Sequence, residues 1–582
     1  MDNGTSVLWS LVPQQGRSVD LSSFLGIPVD WSFYRWYLPT WDFARARADQ
    51  THNHCLTFHG APVGPKQHLA ISIRKLRDHL ATTHSELLDT VFHMQGLAFP
   101  GYSEDECVAS LCFPKSHVVV AGSHGLDDTE TVHRKLSGGE ELVAKASHSS
   151  GGRSITMLRS PPDLSSLLAR ASPGTAFLVQ RRIRSPLIEG RRFHFRLYVG
   201  ITSLHPLRVY VHHDDDHGGY AVLATTAASH STAAKGGELP EEEKTCSHVS
   251  GVCTTKEDEE FVTNYGDRQK SQSQFSALYK SRTGADPEAL LRRMHHSIVV
   301  MLLAAGHHSR HTDVFRRLQS LLGEARCFEI LGVDFLFEEY EEILEGRRRL
   351  AWVPYLIDVT PSPGYGRPTG AASHGMLRDF FRAFVTGDAD PEKPTPPDES
   401  TDTGEEEQWQ AVAQQAASLG LKVSKEDRAL IRRFNEEAKS AGRWHRLFPP
   451  ARGTAVGMTF NYVPLFAGGL SHEDALSMLW AGIPPEELQV EGGMRGVSSK
   501  ATQVVDEVLN CYFERAGGHT ISPREEFVLT QGLIRLSMAP DAESNLGGNK
   551  VISNVPAFLV NFIESGCARG RVSLPSLLQL LT

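Results

Sequence analysis

A chain of 582 residues with 40% hydrophobic and 22% charged residues has ordinary folded composition and is too long for one core, so two or three units are expected. Its formal charge of −10 sits largely in two stretches: 238–260 holds eight acids and two lysines, and 391–407 holds seven acids and one lysine. The remainder has 56 basic against 54 acidic residues, which excludes a strongly basic body of the kind that binds nucleic acid.

The N-terminus, MDNGTSVLWSLVP, lacks a basic segment followed by an apolar one, so no secretory leader is expected. Eight cysteines with no CxxC pair give neither a zinc site nor a disulfide frame and point to a reduced, cytoplasmic protein. The segment Lys66–Leu80 has the spacing of an imperfect amphipathic helix. From Glu140 to Thr226 the chain is strand-rich, in runs such as LVAKAS, AFLVQRRI and RFHFRLYVGITS. A Gly-, Ser- and Glu-rich insertion at about 227–260 reads as a mobile loop. Helical spacing returns in ADPEALLRRMHHSIVVMLLAAG, whose apolar run Ile298–Ala305 is too short to span a bilayer, so no membrane partner is expected. GMLRDFFRAFVTG is a further helix, stopped at Gly387. Residues 388–424 are expected to be an acidic, Pro-rich linker, and 425–582 to be mostly helical, with a capping-box-like start at Ser471–Asp474. Paired histidines such as His212–His213 and His307–His308 read as solvated, because no HExxH spacing joins them.

Three segments carry chemistry. Cys327–Pro363 contains two apolar runs around a charged turn, the pattern of an antiparallel hairpin, and each run bears one carboxylate, Asp334 and Asp358. A carboxylate in a buried strand is costly unless paired or bound to metal. Two on neighbouring strands could converge on Mg²⁺, or both could sit at strand ends in water. In ELVAKASHSSGGRSITML, Lys145 ends a strand before a Gly-Gly loop that could bring backbone N–H groups to phosphate oxygens, although a plain hairpin has the same composition. In QRRIRSPLIEGRRFHFR, alternation puts Arg192, His194 and Arg196 on one face and Phe193, Phe195 and Leu197 on the other. Arg182 and Arg184 read as solvated charges, whereas Arg196, deep in an apolar strand, calls for an anionic partner.

In their order these motifs resemble the tubulin tyrosine ligase-like family, whose catalytic unit has the ATP-grasp fold. FLVQRRIRSPLIEGRRFHFRLYVGITSLHPLRVYVH is the most specific match. ELVAKASHSSGGRSITML, FVTNYG, CFEILGVDFLF and YLIDVTPSPGYG follow the family's other motifs, and AGRWHRLFP is similar to a helix-end motif of its longer members. The resemblance implies an α+β or α/β, ATP-grasp-like unit: an N-terminal region over 1–130, central and C-terminal regions over 131–387, and a helical extension over 425–582. It implies ATP and Mg²⁺ as cofactors. Lys145 and Lys66 would contact phosphates, and Gln180 with the Arg181–Ile183 backbone would line the adenine slot. Arg192, His194, Thr263 and Asn264 would flank the nucleotide, and Arg196 would grip the terminal phosphate. Asp334, Asp358 and Thr360 would hold the metal. The implied reaction joins an amino acid, glutamate by the length of the chain, to an acidic tubulin tail through an acyl phosphate. The Arg-rich strand and Arg347–Arg349 are candidate tail contacts, and the cytoskeleton, with a cilium or flagellum, would be the location. The sequence departs from the family at Asp358 (Glu in the family), Thr360 (Asn) and His194 (Asp), which leaves open a catalytically impaired scaffold or a tyrosine or glycine ligase.

Overall fold

Strict alternation of apolar residues organises the centre of the molecule. The structure, a computed structural model, describes residues 6–8, 29–30, 51–54, 66–87 (apart from 86), 113–122, 128–146, 155–223 (apart from 184, 205 and 214–217), 269–308, 326–361 (apart from 345–346), 370–386, 402–450 and 462–488 (apart from 467–468). Helices and largely antiparallel sheets make an α+β fold. The expected insertion at 227–260, Thr263, Asn264, the Gly-Gly loop and the extension beyond 488 lie outside the described residues.

Three short N-terminal strands, β1 (Ser6–Leu8), β2 (Val29–Asp30) and β3 (Thr51–His54), pair in parallel and lead to helix α1 (Lys66–Thr83). A small antiparallel sheet follows, in the order β4 (Ser116–Val120), β7 (Ala176–Arg181), β5 (Leu142–Ala146), β6 (Ile155–Leu158). Helices α2 (Asp128–Ser137) and α3 (Pro161–Arg170) close one side of it around Val119, Val132, Leu136, Ala144, Leu164 and Val179. The expected boundary at 130/131 therefore falls inside α2. Strand β4 belongs with β7 rather than with the N-terminal region, because Ser116–Val120 pairs residue for residue with Gln180–Ala176.

The large sheet has ten strands. Its centre is β8 (Phe193–Leu204), with β9 (Leu207–His212) and β10 (Gly219–Leu223) along one edge and β12 (Arg326–Leu344) along the other. Strand β11 (Gln269–Ser271) continues beyond β10, and β13 (Arg347–Pro361) beyond β12. Phe193, Phe195 and Leu197 are buried, as their alternation predicts, and join Val333, Phe335 and Phe337 in the main core. Helix α4 (Gln272–Thr283) supplies Phe275, 4.5 Å from the Phe195 ring. Helix α5 (Pro287–His308) is apolar on all sides over Ile298–Ala304, and it is buried between α1 and the sheet, as such helices must be.

The other face of the sheet is split. One half is covered by α6 (Gly370–Phe381), which continues as a π-helical turn to Thr386, so that Met376, Phe380 and Phe384 meet Tyr198, Tyr210 and Trp444. Gly200 is required there: a Cβ on it would lie 2.6 Å from the Phe380 ring and 3.0 Å from Trp444. Gly200→Ala is expected to cost roughly 1–3 kcal/mol through overpacking, read as a fall in the urea midpoint with the denaturant slope unchanged. The other half of this face carries the candidate site.

The C-terminal part corrects several expectations. The expected linker contains a helix, α7 (Asp402–Ser418), whose Val412 and Ala416 are buried in the main core despite its acid-rich start. Helix α8 (Lys425–Ser440) is followed by a strand, β14 (Trp444–Phe448), so the RWHRLFP segment is not simply a helix end: it pairs with β9 and lengthens the large sheet. Helix α9 (His472–Trp480) starts at Ser471, whose hydroxyl accepts from the Asp474 N–H, as the capping pattern predicts. His212 is not solvated. It is 1% exposed, packs on Trp444 and lies 3.1 Å from Asp379 of α6. No helix among the described residues is long and apolar enough to cross a membrane.

Candidate functional site

This half of the sheet face is crossed by one row of side chains. Register aligns Tyr220 of β10 with Arg196 of β8, Arg196 with Asp334 of β12, and Asp334 with Asp358 of β13. Directly opposite residues in antiparallel strands project to the same face, so the four form a line across four strands. Thr360 lies one step along, opposite Gly332, and His194 one step the other way on β8.

A β-bulge places Asp358 in that line. Up to Leu356, β13 alternates regularly, with Trp352 and Leu356 in the main core and Val353 and Tyr355 on the opposite face. Asp334 pairs with Asp358 while Phe335 pairs with Leu356, so Ile357 is an extra residue. Without it Asp358 would share the face of Trp352 and Leu356 and enter the core. With it Asp358 and Thr360 face the opposite side, and Val359 returns to the core.

Each carboxylate meets a cation. Arg196 grips Asp334 with two hydrogen bonds of 2.7 Å, Nε to Oδ1 and an Nη to Oδ2. Lys66, the first residue of α1, places its ammonium 3.4 Å from Asp358. His194 stands 4.0 Å from Asp334. Burial alone would raise the Asp334 pKa, but the Arg196 guanidinium outweighs it and holds the carboxyl low. Burial also opposes the charge on Arg196, which Asp334 restores, so that its pKa lies well above normal. Asp358 moves the other way. Burial and the neighbouring Asp334 push it up against the pull of Lys66 and Lys145. From the facing small sheet, Lys145 is buried, and desolvation with the nearby Lys66 lowers its pKa to about 8 despite both carboxylates. Its ammonium makes no hydrogen bond or ion pair with another described residue.

The small sheet meets the large one at the turn after β7. Gln180 is buried and donates from Nε2 to Ser116 Oγ at 2.8 Å. Arg181 reaches the hairpin and donates to both Glu338 oxygens at 2.8 and 2.5 Å, and Ile183 packs on Val353 and Tyr355. Arg182 is not simply solvated: it pairs with Glu141 at 2.6 Å. Arg192 is half-buried, and its Nε has no hydrogen-bond partner among the described residues. The structure thus brings together Lys66, Lys145, His194, Arg196, Asp334, Asp358 and Thr360, and sets Gln180, Arg181 and Ile183 at the junction of the sheets. Sequence patterns did not point to Tyr220, Glu338, Ser116 or the bulged Ile357. Only the pairing register identifies the first, and only non-local contacts the next two.

Two carboxylates and a hydroxyl on one face, beside three cationic side chains in the cleft, form a donor set suited to a hard divalent cation held together with an anionic polyphosphate. No group of three or more His, Cys, Asp or Glu side chains able to hold a metal without other ligands occurs among the described residues. Mg²⁺ usually takes one or two carboxylates and completes its shell with phosphate and water.

Comparison with known proteins agrees with the motif order. Residues 115–398 match the family described as "Tubulin-tyrosine ligase family". The chain is 29% identical over 259 residues to tubulin polyglutamylase TTLL6 of Mus musculus, covering 43% of this chain and 28% of that protein. It is 27% identical over 227 residues to tubulin polyglutamylase TTLL13 of Mus musculus (38% and 24%), and 25% identical over 257 residues to a probable beta-tubulin polyglutamylase of Tetrahymena thermophila (41% and 18%). The chain spans about a quarter of the length of the curated relatives it matches.

Proposed function

We propose that this chain, which matches the tubulin-tyrosine ligase family over residues 115–398, is a member of it and an ATP-dependent ligase that adds an amino acid, glutamate first among candidates, to an acidic tubulin tail. The observation that carries the reading is the Arg196–Asp334–Asp358 row, with Lys66 and Lys145 in the same cleft between two sheets, the layout of an ATP-grasp site.

Lys145, Lys66 and Arg196 neutralise the triphosphate, and Arg192 and His194 flank it. Gln180, fixed by Ser116, and the Arg181–Ile183 backbone, fixed by Glu338 and Tyr355, border the base. Thr263 and Asn264 complete the nucleotide contacts in this reading. Asp334, Asp358 and Thr360 would hold Mg²⁺, which supplies charge neutralisation of the phosphate oxygens. The acceptor's side-chain carboxylate attacks the γ-phosphorus and ADP leaves. The amine of the incoming amino acid then attacks the acyl carbon, loses a proton and expels phosphate. The protein's task is positioning and electrostatic stabilisation, the usual source of rate in phosphoryl transfer.

A site built on Lys145 has a pH signature. Its ammonium attracts phosphate only while protonated, and its pKa in the free protein is about 8. Affinity for a nonhydrolysable ATP analogue is expected to be greatest below pH 8 and to fall as pH rises through it. Lys145→Met is expected to flatten the profile, measured by calorimetric titration at pH 7 and pH 9.

Incubation with tubulin, Mg²⁺, ATP and labelled glutamate, glycine or tyrosine tests the whole reading, with label expected on tubulin from glutamate. The shorter Asp358 and the hydroxyl of Thr360 support a second reading, a scaffold of this fold that does not turn over. ATP analogue with Mg²⁺ at a hundredfold excess over Kd is expected to stabilise a working site by about 2.7 kcal/mol. No thermal shift would favour the scaffold.

A further inference from the structure

The charges in the cleft are already matched to one another. Arg196 covers both Asp334 oxygens at 2.7 Å, and Lys66 lies 3.4 Å from Asp358. Lys145 adds a buried positive charge without a hydrogen-bonded or ion-paired counterion among the described residues. In this arrangement the site carries one formal positive charge in excess, and each oxygen of the carboxylate at the centre of the row already accepts a hydrogen bond from Arg196. A divalent cation entering alone competes with the Arg196 guanidinium for Asp334 and is repelled by the three cations, while drawing Asp334 away would leave Arg196 without its anion in a side chain only 20% exposed. A polyphosphate entering first meets Lys145 and offers Arg196 and Lys66 new anionic partners, which releases both carboxylates.

We infer that Arg196 acts as a lock on the cation site, so that the divalent cation and the polyphosphate bind with strong mutual dependence and the cation does not occupy Asp334 and Asp358 alone. The inference rests on the proposed nucleotide-binding reading and adds to it a binding order and the residue that enforces it. Tyr220, opposite Arg196 on β10, and Tyr198, whose hydroxyl lies 3.4 Å from that of Tyr220, are near enough to act electrostatically on the guanidinium. Because linkage is reciprocal, the cation must raise nucleotide affinity by the factor by which nucleotide raises cation affinity.

Mn²⁺ serves as the probe, its binding counted by electron paramagnetic resonance of the free ion, with no turnover involved. The full chain is expected to take up little Mn²⁺ alone and to bind it roughly ten- to hundredfold more tightly with a nonhydrolysable ATP analogue. Arg196→Met is expected to bind Mn²⁺ without nucleotide, and Arg196→Met with Asp334→Asn to lose that gain. A second variant guards against misfolding of the first. Asp334→Asn alone removes the charge that holds Arg196 and one of its two acceptor oxygens, so it is expected to bind the analogue without metal at least as tightly as the unmodified chain, whereas a mere loss of a metal ligand gives no such gain. Equal Mn²⁺ affinity of the unmodified chain with and without the analogue overturns the lock. Failure of the analogue to bind any variant, with or without Mn²⁺, overturns the nucleotide reading itself.

Discussion

Asp334→Asn is expected to lower amino-acid ligation by a factor of about 10²–10³ or more while the protein stays folded. Asn keeps the size of Asp and one acceptor oxygen for Arg196, so the row across the sheet survives, but it removes the charge that would hold the metal. Asp334→Ala isolates the structural role of the same residue. It leaves the Arg196 guanidinium without a partner in a site where Asp334 is 9% exposed. Stripping one partner from a buried pair costs about 3–5 kcal/mol, and partial access of Arg196 to water brings the expected loss to roughly 2–4 kcal/mol. Urea titration of the two variants separates the effects: Asp334→Asn lies near the unmodified midpoint and Asp334→Ala well below it. The double variant Arg196→Met/Asp334→Leu is expected to recover much of the stability and none of the ligation, since apolar residues of similar volume replace buried pairs well. Wild-type turnover in Asp334→Asn would remove Asp334 from the metal site.

How much of this could be read from the sequence depended on whether the signal was local. Strand β8 was legible because Phe193, Phe195 and Leu197 alternate with polar residues and one face is buried, which fixes its orientation. Helices α1 and α5 and the β12–β13 hairpin were legible for the same reason, each declaring its period over many residues. The pairing of Arg196 with Asp334 was not, because they are 138 positions apart and only register makes them neighbours. Motif order alone assigns Arg196 to phosphate and Asp334 to metal, whereas in the fold the two are bonded to each other. Nor was the bulge legible: counting by twos from Trp352 sends Asp358 into the core, and no residue type at 357 announces an extra position. Composition misled at α7, where an acid-rich start hides Val412 and Ala416 in the main core, and at His212, where a His-His pair looked solvated.

The second large effect concerns the end of the folding unit. The family match stops at residue 398, yet the segment 115–398 alone is expected not to fold, and neither is a chain ended at 424. Ile431 and Phe434 of α8, Leu447 and Phe448 of β14, and Leu476, Leu479 and Trp480 around α9 lie in the same core cluster as Phe195, Val333 and α5. Strand β14 also covers the edge of β9, pairing Trp444 with His212 and Phe448 with Val209. Polar contacts across the junction are matched too: Asp474 accepts from the Leu207 N–H at 3.3 Å, Arg208 pairs with Glu437 at 2.5 Å, and the Arg208 guanidinium lies 4.7 Å from the Phe434 ring. Each large apolar side chain returned to water costs about 1.5–3 kcal/mol. Seven such residues amount to roughly 10–20 kcal/mol, as large as the whole 5–15 kcal/mol by which a typical domain is stable. Truncation at 424 would also strip Trp444 from Phe380 and Gly200, opening the cover of the sheet next to the Arg196 row. The expected result is an aggregated or protease-sensitive product, seen by gel filtration and loss of the near-ultraviolet dichroism of the buried tryptophans. A chain ended at 424 that remained monomeric with an unchanged melting temperature would show that α8–α9 is an appendage, and that the site depends on residues before it alone.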